Sequence, residues 1–555
     1  MTHSDDYAAA LVGPLDKVLP NSRIRPWRGP LVCVPARPAH LQVAWRGPSA
    51  TTEWEPLDIR LRAERMDATA YAVGLVPVTV PTLVDDDDGY LEATPGLYPD
   101  PLIPLEGTQT PHGLTVRAHH THSGWHSVWI DLTAHGPVAL TCSVAGRTVL
   151  DVTIPTIELT EPLARGTIEH TRWFHADSLA HTAHTDVWSH RHWSAVRSHL
   201  RSAASMGVTA VMAPVWTPPL DTAEGTYRLP TQLLDVTLTA DGFKFGFERL
   251  SRWIDEASTA GISRIELPPL YSQWGAAYAP AIWATAPTRR RLFGWDTPST
   301  SPAYRAFLDA LIPRLKAFLD ASIGLGNCLF HVSDEPGPHH ADTYRAAFAQ
   351  VAPHLRGCRI IDAVGDPDAI PTATTPVVAT SEVHRFRRCG THPDWVYYCG
   401  CQGKRLANQF IAQRGIRHRM LGLQLYAQRA SGFLHWAFNF YNTQFSLSPL
   451  DPWQDTCAGG GFVGGDSFVV YPHGDNVVET LRHRMIAAAF CDHDLFTYAE
   501  TIIGRNSVLD ILAPHGPLDY DTGWCDEATY LERIANLAQV CIGHHRLKKH
   551  LPTRP

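Results

Sequence analysis

From about Leu31 to Leu159 the apolar positions fall in short runs rich in β-forming residues, and Pro, Gly or Asp breaks each run after roughly ten residues. Leu31 to Val34, Ala70 to Val73, Gly113 to Ala118, Trp125 to Leu132 and Val138 to Val144 are such runs. Their spacing predicts an N-terminal β-sandwich over residues 1–160. Within it, Asp85 to Asp88 followed by Gly89 reads as a solvated turn and not as a cation site.

After Ile157-Glu158-Leu159 the pattern becomes an apolar strand, a polar loop and an amphipathic helix, repeated. Eight strands are expected: Ile168 to Phe174, Val208 to Val215, Ile262 to Leu267, Cys328 to Val332, Arg359 to Asp362, Pro376 to Ala379, Trp395 to Cys399 and Phe433 to Phe438. Helices are expected over Ser189 to Met206, Phe247 to Ala260, Pro302 to Ala321, Ala341 to Val351 and Asn408 to Arg414. This alternation predicts an α/β fold, a (β/α)8 TIM-like barrel over 161–555 with a C-terminal helical closing segment. A doubly wound sheet would want a glycine-rich phosphate loop after its first strand, and Trp173 to Asp177 does not supply one.

The 555 residues suffice for about three domains, or one large and one smaller. Hydrophobic residues at 44% and charged residues at only 18% indicate a chain that buries most of itself. With 47 basic against 55 acidic side chains the net charge is −8, which offers no basic surface to nucleic acid. No apolar run approaches the roughly 18 residues of a spanning helix, and Met1 to Ala10 lacks a basic, then apolar, leader pattern. Eleven cysteines without paired CxxC motifs read as reduced thiols, so a cytoplasmic location is expected.

Active sites of such barrels sit beyond the C-terminal ends of the strands. There the chain places His175 and Asp177, Trp216 and Thr217, then Tyr271, Gln273 and Trp274. Asp334 and Glu335 follow, with Asp362, Glu382, His384, Tyr397 and Tyr398, and finally His435, Trp436, Asn439 and Tyr441. Aromatic faces that stack on pyranose rings, mixed with groups that hydrogen-bond hydroxyls, describe a carbohydrate cleft. The sharpest feature is Phe330-His331-Val332-Ser333-Asp334-Glu335-Pro336, two adjacent carboxylates ending an apolar strand. Neighbouring strand residues point to opposite sides, so this pair does not flank a glycosidic bond as two separated carboxylates do. Adjacency suits another division of labour, in which one carboxyl protonates the leaving oxygen and the other holds the substrate's own 2-acetamido group as it attacks the anomeric carbon.

These residues resemble a family, the bacterial proteins of the domain of unknown function DUF4091, related to the glycoside hydrolase family 123 catalytic domain. The resemblance rests on Pro95-Gly96-Leu97-Tyr98-Pro99-Asp100-Pro101-Leu102, Trp173 to Ala180 and His331 to Pro336, and continues through Gly432 to Trp436 and Gly465 to Pro472. It implies a β-N-acetylgalactosaminidase-like enzyme, a sandwich before a barrel, retention of configuration, Glu335 as acid/base and Asp334 as the acetamido-orienting group. One departure is Phe490-Cys491-Asp492-His493-Asp494, where such proteins often carry an Asp-Tyr pair at a helix end.

Thirty histidines include the clusters His190/His192 and His119/His120/His122, but neither has ligand partners at workable spacing, so no metal and no cofactor are expected. Gly459 to Gly465 lacks the Lys-Ser/Thr of a phosphate loop and reads as a flexible loop over the cleft. Two rivals remain: a glycosidase of non-acetamido sugars with Asp177, Asp362 or Glu382 as direct nucleophile, and a non-catalytic glycan-binding protein. The expected partner is an oligosaccharide or glycoconjugate substrate, with neither nucleic acid nor membrane.

Overall fold

A computed structural model of the chain describes residues 7–48, 53–83, 89–369, 371 and 374–550; Met1 to Asp6 and the Asp85 to Asp88 run lie outside them. The N-terminal region is β-rich. One antiparallel sheet orders Ala8–Val12, Ala39–Arg46, His126–His135, Arg65–Val78 and Gly96–Pro104; a second orders Arg147–Ile154, Val138–Val144, Leu57–Arg62, Gly113–Ala118 and Gly107–Thr110. The two-residue period decides which faces meet. Leu57, Ile59 and Leu61 are buried between outward Asp58, Arg60 and Arg62, and they share one apolar cluster with Leu41, Val43 and Ile130 of the first sheet.

Eight parallel strands then close a barrel: β1 (Glu169–Arg172), β2 (Ala210–Met212), β3 (Arg264–Glu266), β4 (Cys328–Phe330), β5 (Arg359–Val364), β6 (Thr374–Ala379), β7 (Trp395–Tyr397) and β8 (Gly432–His435), with β8 pairing back onto β1. All eight expected strands are present in order. Their near-continuous apolar runs arise because both faces are covered. Ala210, Met212, Leu329, Ile361, Val377 and Leu434 form an inner cluster, while Val211, Cys328, Ile360, Val378 and Phe433 join the larger cluster beneath the helices. Gly432 has no substitute at the closing strand, because a Cβ there would lie 2.1 Å from the Trp395 ring.

Four expected helices form, as His190–Ser205, Glu248–Ala260, Pro302–Ile323 and Ala341–Val351. Ser189 caps the first by accepting from the His192 N–H, and Gly261 ends the second at φ 99°. The segment Asn408 to Arg414 is not helical; the helix is Gly415–Ala427. Its backbone and side chains are committed elsewhere. Asn408 donates to the Cys399 and Gln402 carbonyls, Gln409 to those of Gly465 and Asp466, and the Ile411 N–H to Gly464. The glycine-rich segment is correspondingly pinned and not a free flap, since the Gly464 N–H donates to Val80 and the Gly465 N–H to Thr456.

The closing segment consists of Leu481–Ile503, Arg505–Leu512 and Glu527–His550. The departure from the family pattern falls inside the first of these, where Asp492 pairs with Arg419 and accepts from the Tyr530 hydroxyl while Asp494 pairs with Arg37. Arg482, one residue into this helix, is wholly buried against Asp100 of the N-terminal sheet, with two contacts of 2.8 Å. Its remaining donor group reaches the carbonyls of Gln409, Gly465 and Phe468, each at 2.8 Å. Replacing Arg482 by Met leaves a buried carboxylate and three carbonyls without their donor. The expected loss is about 3–5 kcal/mol in urea-induced unfolding, and a loss below about 1 kcal/mol would contradict this role.

Candidate active site

β4 ends at Phe330, and the chain runs on across the C-terminal mouth of the barrel without regular structure. It is nevertheless held on both sides. The N–H groups of Leu270, Tyr271 and Trp274 donate to the carbonyls of His331, Val332 and Asp334, and the Glu335 N–H donates to Ala363 of β5. Glu335 adopts φ 42°, a left-handed conformation rare for residues with a side chain. The opposite-sides argument from strand alternation therefore does not apply: Asp334 and Glu335 lie beyond the strand, in irregular chain.

Both carboxyls are partly buried, and burial pushes both pKa values up. Asp334 goes well above the ordinary range, because the neighbouring Glu335 charge adds to burial and outweighs the help of His331. Glu335 is raised less, since the Tyr397 hydroxyl donates to its Oε1 at 2.5 Å.

A charged network lies beneath. His331 contacts Glu266 through Nε2 and Asp362 through Nδ1, the latter at 3.3 Å, and all three side chains are essentially unexposed. Glu266 also accepts from Thr171 and from the Trp173 indole, and Asp362 from the Tyr344 hydroxyl and the Val332 N–H. Burial opposes a charge on His331, but Glu266 and Asp362 overcome it and push the imidazole up to about 10. This network was not anticipated, although a glutamate inside the apolar run Ile262 to Leu267 and a histidine inside Cys328 to Val332 were its traces.

The other expected site residues separate into two groups. Trp274 is 41% exposed, Tyr397 meets Glu335, and the partly buried Trp436 donates its indole N–H to Asp466 at 3.2 Å and packs edge-on to Phe440 and Phe462. Burial pushes Asp466 up to about 8. The second group is spent within the protein. Asp177 is held bidentately by Arg228, which also contacts His175 Nδ1 and the Leu220 carbonyl, and this cation keeps Asp177 low against burial while burial and Arg228 press His175 down to about 3. Arg228 lies in a long loop with no motif to mark it.

Asn439 uses both ends of its amide on the His175 backbone. Gln273 does the same on Thr222, and the Trp216 indole donates to Pro269. Tyr271, Tyr398, Tyr441 and His435 have no appreciable exposure, and Thr217 accepts from the Thr231 N–H. Glu382 and His384 lie at the start of the short helix Val383–Arg388 that follows β6. Among the described residues no group of three or more His, Cys, Asp or Glu side chains could hold a metal ion.

The His331 network predicts a pH-dependent stability. A pKa raised above the unfolded value of about 6.5 contributes stability that is complete below that value and lost as pH rises through about 10. Glu266→Gln removes the largest upward influence, so it should cost about 3 kcal/mol at pH 7, and the gap to wild type should narrow between pH 8 and 10 in urea titrations. A gap independent of pH would contradict a charged His331.

Comparison with known proteins bears on this geometry. The family model described as glycoside hydrolase 123, catalytic domain, matches residues 173–499. Among solved structures the chain is similar to a family 123 glycoside hydrolase from Clostridium perfringens, studied for glycolipid glycan hydrolysis, with 13% identity, a TM-score of 0.69, and coverage of 98% of this chain and 100% of that one. Matches to a Parabacteroides merdae β-glucuronidase (12% identity, 82% of this chain and 51% of that one, TM-score 0.31) and a Vibrio harveyi exo-β-N-acetylglucosaminidase (9%, 73% and 83%, TM-score 0.21) are too remote to bear on fold or activity. No match was found among curated proteins. With that family model covering more than half of the chain, Asp334 and Glu335 included, the chain belongs to glycoside hydrolase family 123 and is a glycoside hydrolase.

Proposed function

We propose that the enzyme removes β-linked N-acetylgalactosamine, or a related 2-acetamido sugar, from the ends of oligosaccharides or glycoconjugates, with retention and by substrate assistance. The observation that carries this reading is the state of the carboxylates around the mouth. Asp334 and Glu335 are adjacent and raised, whereas Asp177 is tied to Arg228 and Asp362 is sealed under His331 and Tyr344. Two candidates for a separate carboxylate nucleophile are thereby occupied, which favours a nucleophile supplied by the substrate.

In this mechanism Glu335 gives its proton to the glycosidic oxygen as the bond to the anomeric carbon breaks, and the acetamido oxygen closes on that carbon from the opposite face. With the proton on Glu335 in this step, Asp334 is ionised as it holds the acetamido N–H and stabilises the positive charge of the oxazolinium, although in the free enzyme burial raises Asp334 more than Glu335. Water, deprotonated by Glu335, then opens the ring, and two inversions give retention. No metal or cofactor takes part. We read the two N-terminal sheets as a β-sandwich domain ending near residue 160, the remainder as the catalytic domain, and the location as cytoplasmic. Among the described residues no helix is long and apolar enough to cross a membrane.

A screen of p-nitrophenyl glycosides should show hydrolysis of a β-linked 2-acetamido sugar and of no 2-hydroxy counterpart. Glu335→Gln should cripple substrates with poor leaving groups far more than a dinitrophenyl glycoside, while Asp334→Asn should slow both by about 10²–10⁴-fold. The matching thiazoline should inhibit the wild type. Equal activity on 2-hydroxy sugars, or a fluoro-sugar adduct trapped on Glu382, would favour the direct-nucleophile alternative.

A further inference from the structure

Three loops at the barrel mouth are interlocked around two exposed aromatic side chains that nothing in the mechanism uses. Trp274, after β3, is 41% exposed, and Phe445, after β8, is 38% exposed; their rings meet edge-on with centroids 6.1 Å apart. Single exposed apolar side chains are ordinary, but two aromatic rings in contact at a barrel mouth form a patch that a ligand can cover. Both positions, and Asp221 in the loop after β2, have positive φ, at 55°, 61° and 41°. Residues with side chains hold such conformations only where the surroundings over-determine them, and those places cluster at ligand clamps.

The surroundings here do so. Asp221 Oδ2 accepts from the Phe445 N–H at 2.8 Å, its carbonyl accepts from the Ser446 hydroxyl at 2.7 Å, and the Phe445 carbonyl accepts from the Ala223 N–H at 2.9 Å. Gln273 clamps the Asp221 loop to the Trp274 loop through both its amide atoms, and the Trp274 N–H donates to the Asp334 carbonyl at 2.8 Å. The platform is thus fixed directly to the backbone of the candidate catalytic pair. Trp436 and Tyr397 are the more deeply set aromatics on the same mouth.

We propose that Trp274 and Phe445 form the subsite for the leaving group, stacking on the ring of the sugar that carries the terminal 2-acetamido residue, with Asp221 as the positioning residue for Phe445. The inference rests on the proposed function. A terminal sugar occupying the deeper part of the mouth directs its aglycone outward over the rim, where the C–H face of a pyranose would cover the two rings.

The test compares two substrates that share the terminal sugar and differ in what the platform can touch: a GalNAcβ-galactose disaccharide and the β-N-acetylgalactosaminyl azide, whose leaving group has no ring. Trp274→Ala and Phe445→Ala should each lower kcat/KM on the disaccharide roughly 5–50-fold more than on the azide, and Trp274→Phe should recover most of that difference. Asp221→Asn should reproduce part of the Phe445 effect, confined to the disaccharide. Equal losses on both substrates, or no loss on the disaccharide, overturn the subsite while leaving the functional reading intact. Wild-type failure to turn over either substrate overturns both.

Discussion

A single buried guanidinium organises the molecule. Arg482 must find partners for its donors in a place water does not reach, and it finds them in three different parts of the chain: Asp100 of an N-terminal strand, Gln409, and the Gly465 to Phe468 loop. The Tyr471 hydroxyl completes the set by donating to Asp100. A charge so placed tolerates little rearrangement, because losing any partner exposes it to the desolvation cost that the others offset. The closing helix, the N-terminal sheets and the loops after β7 and β8 are locked into one register by it.

The same economy governs the mouth of the barrel. Charged groups near the chemistry are nearly all paired, Asp177 with Arg228 and Glu266 and Asp362 with His331. Among the described residues Asp334 and Glu335 have no such cationic partner at ion-pair distance, and burial raises both, Asp334 further because of the neighbouring Glu335 charge. The left-handed conformation at Glu335 breaks the strand alternation that would send the two side chains to opposite faces.

How much of this was legible in the sequence follows from how local each cause is. Barrel strands covered on both faces leave apolar runs such as Val208 to Val215, and these mark position and order well. The carboxylate pair stood out because two charges end such a run. The aromatic residues were harder, since a place after a strand does not determine direction: Trp274 is left open to solvent, while the Trp216 indole turns to the Pro269 carbonyl in the core. The expected helix at Asn408 failed for the reason Arg228 and Arg482 escaped notice. Their partners lie dozens to hundreds of residues away, and no local pattern records them.

The central claim is that the substrate's acetamido oxygen is the nucleophile and that Asp334-Glu335 serve it. The most direct measurement is kcat/KM for a series of p-nitrophenyl 2-acylamido glycosides in which the acetyl group carries zero, one, two or three fluorines. Each fluorine withdraws electrons from the attacking carbonyl oxygen and leaves the anomeric centre and leaving group almost untouched. The account predicts a steep fall along the series, on the order of 10²-fold or more from acetyl to trifluoroacetyl, equivalent to about 3 kcal/mol of barrier. A flat series would show that the acetamido group does not attack, and would contradict it.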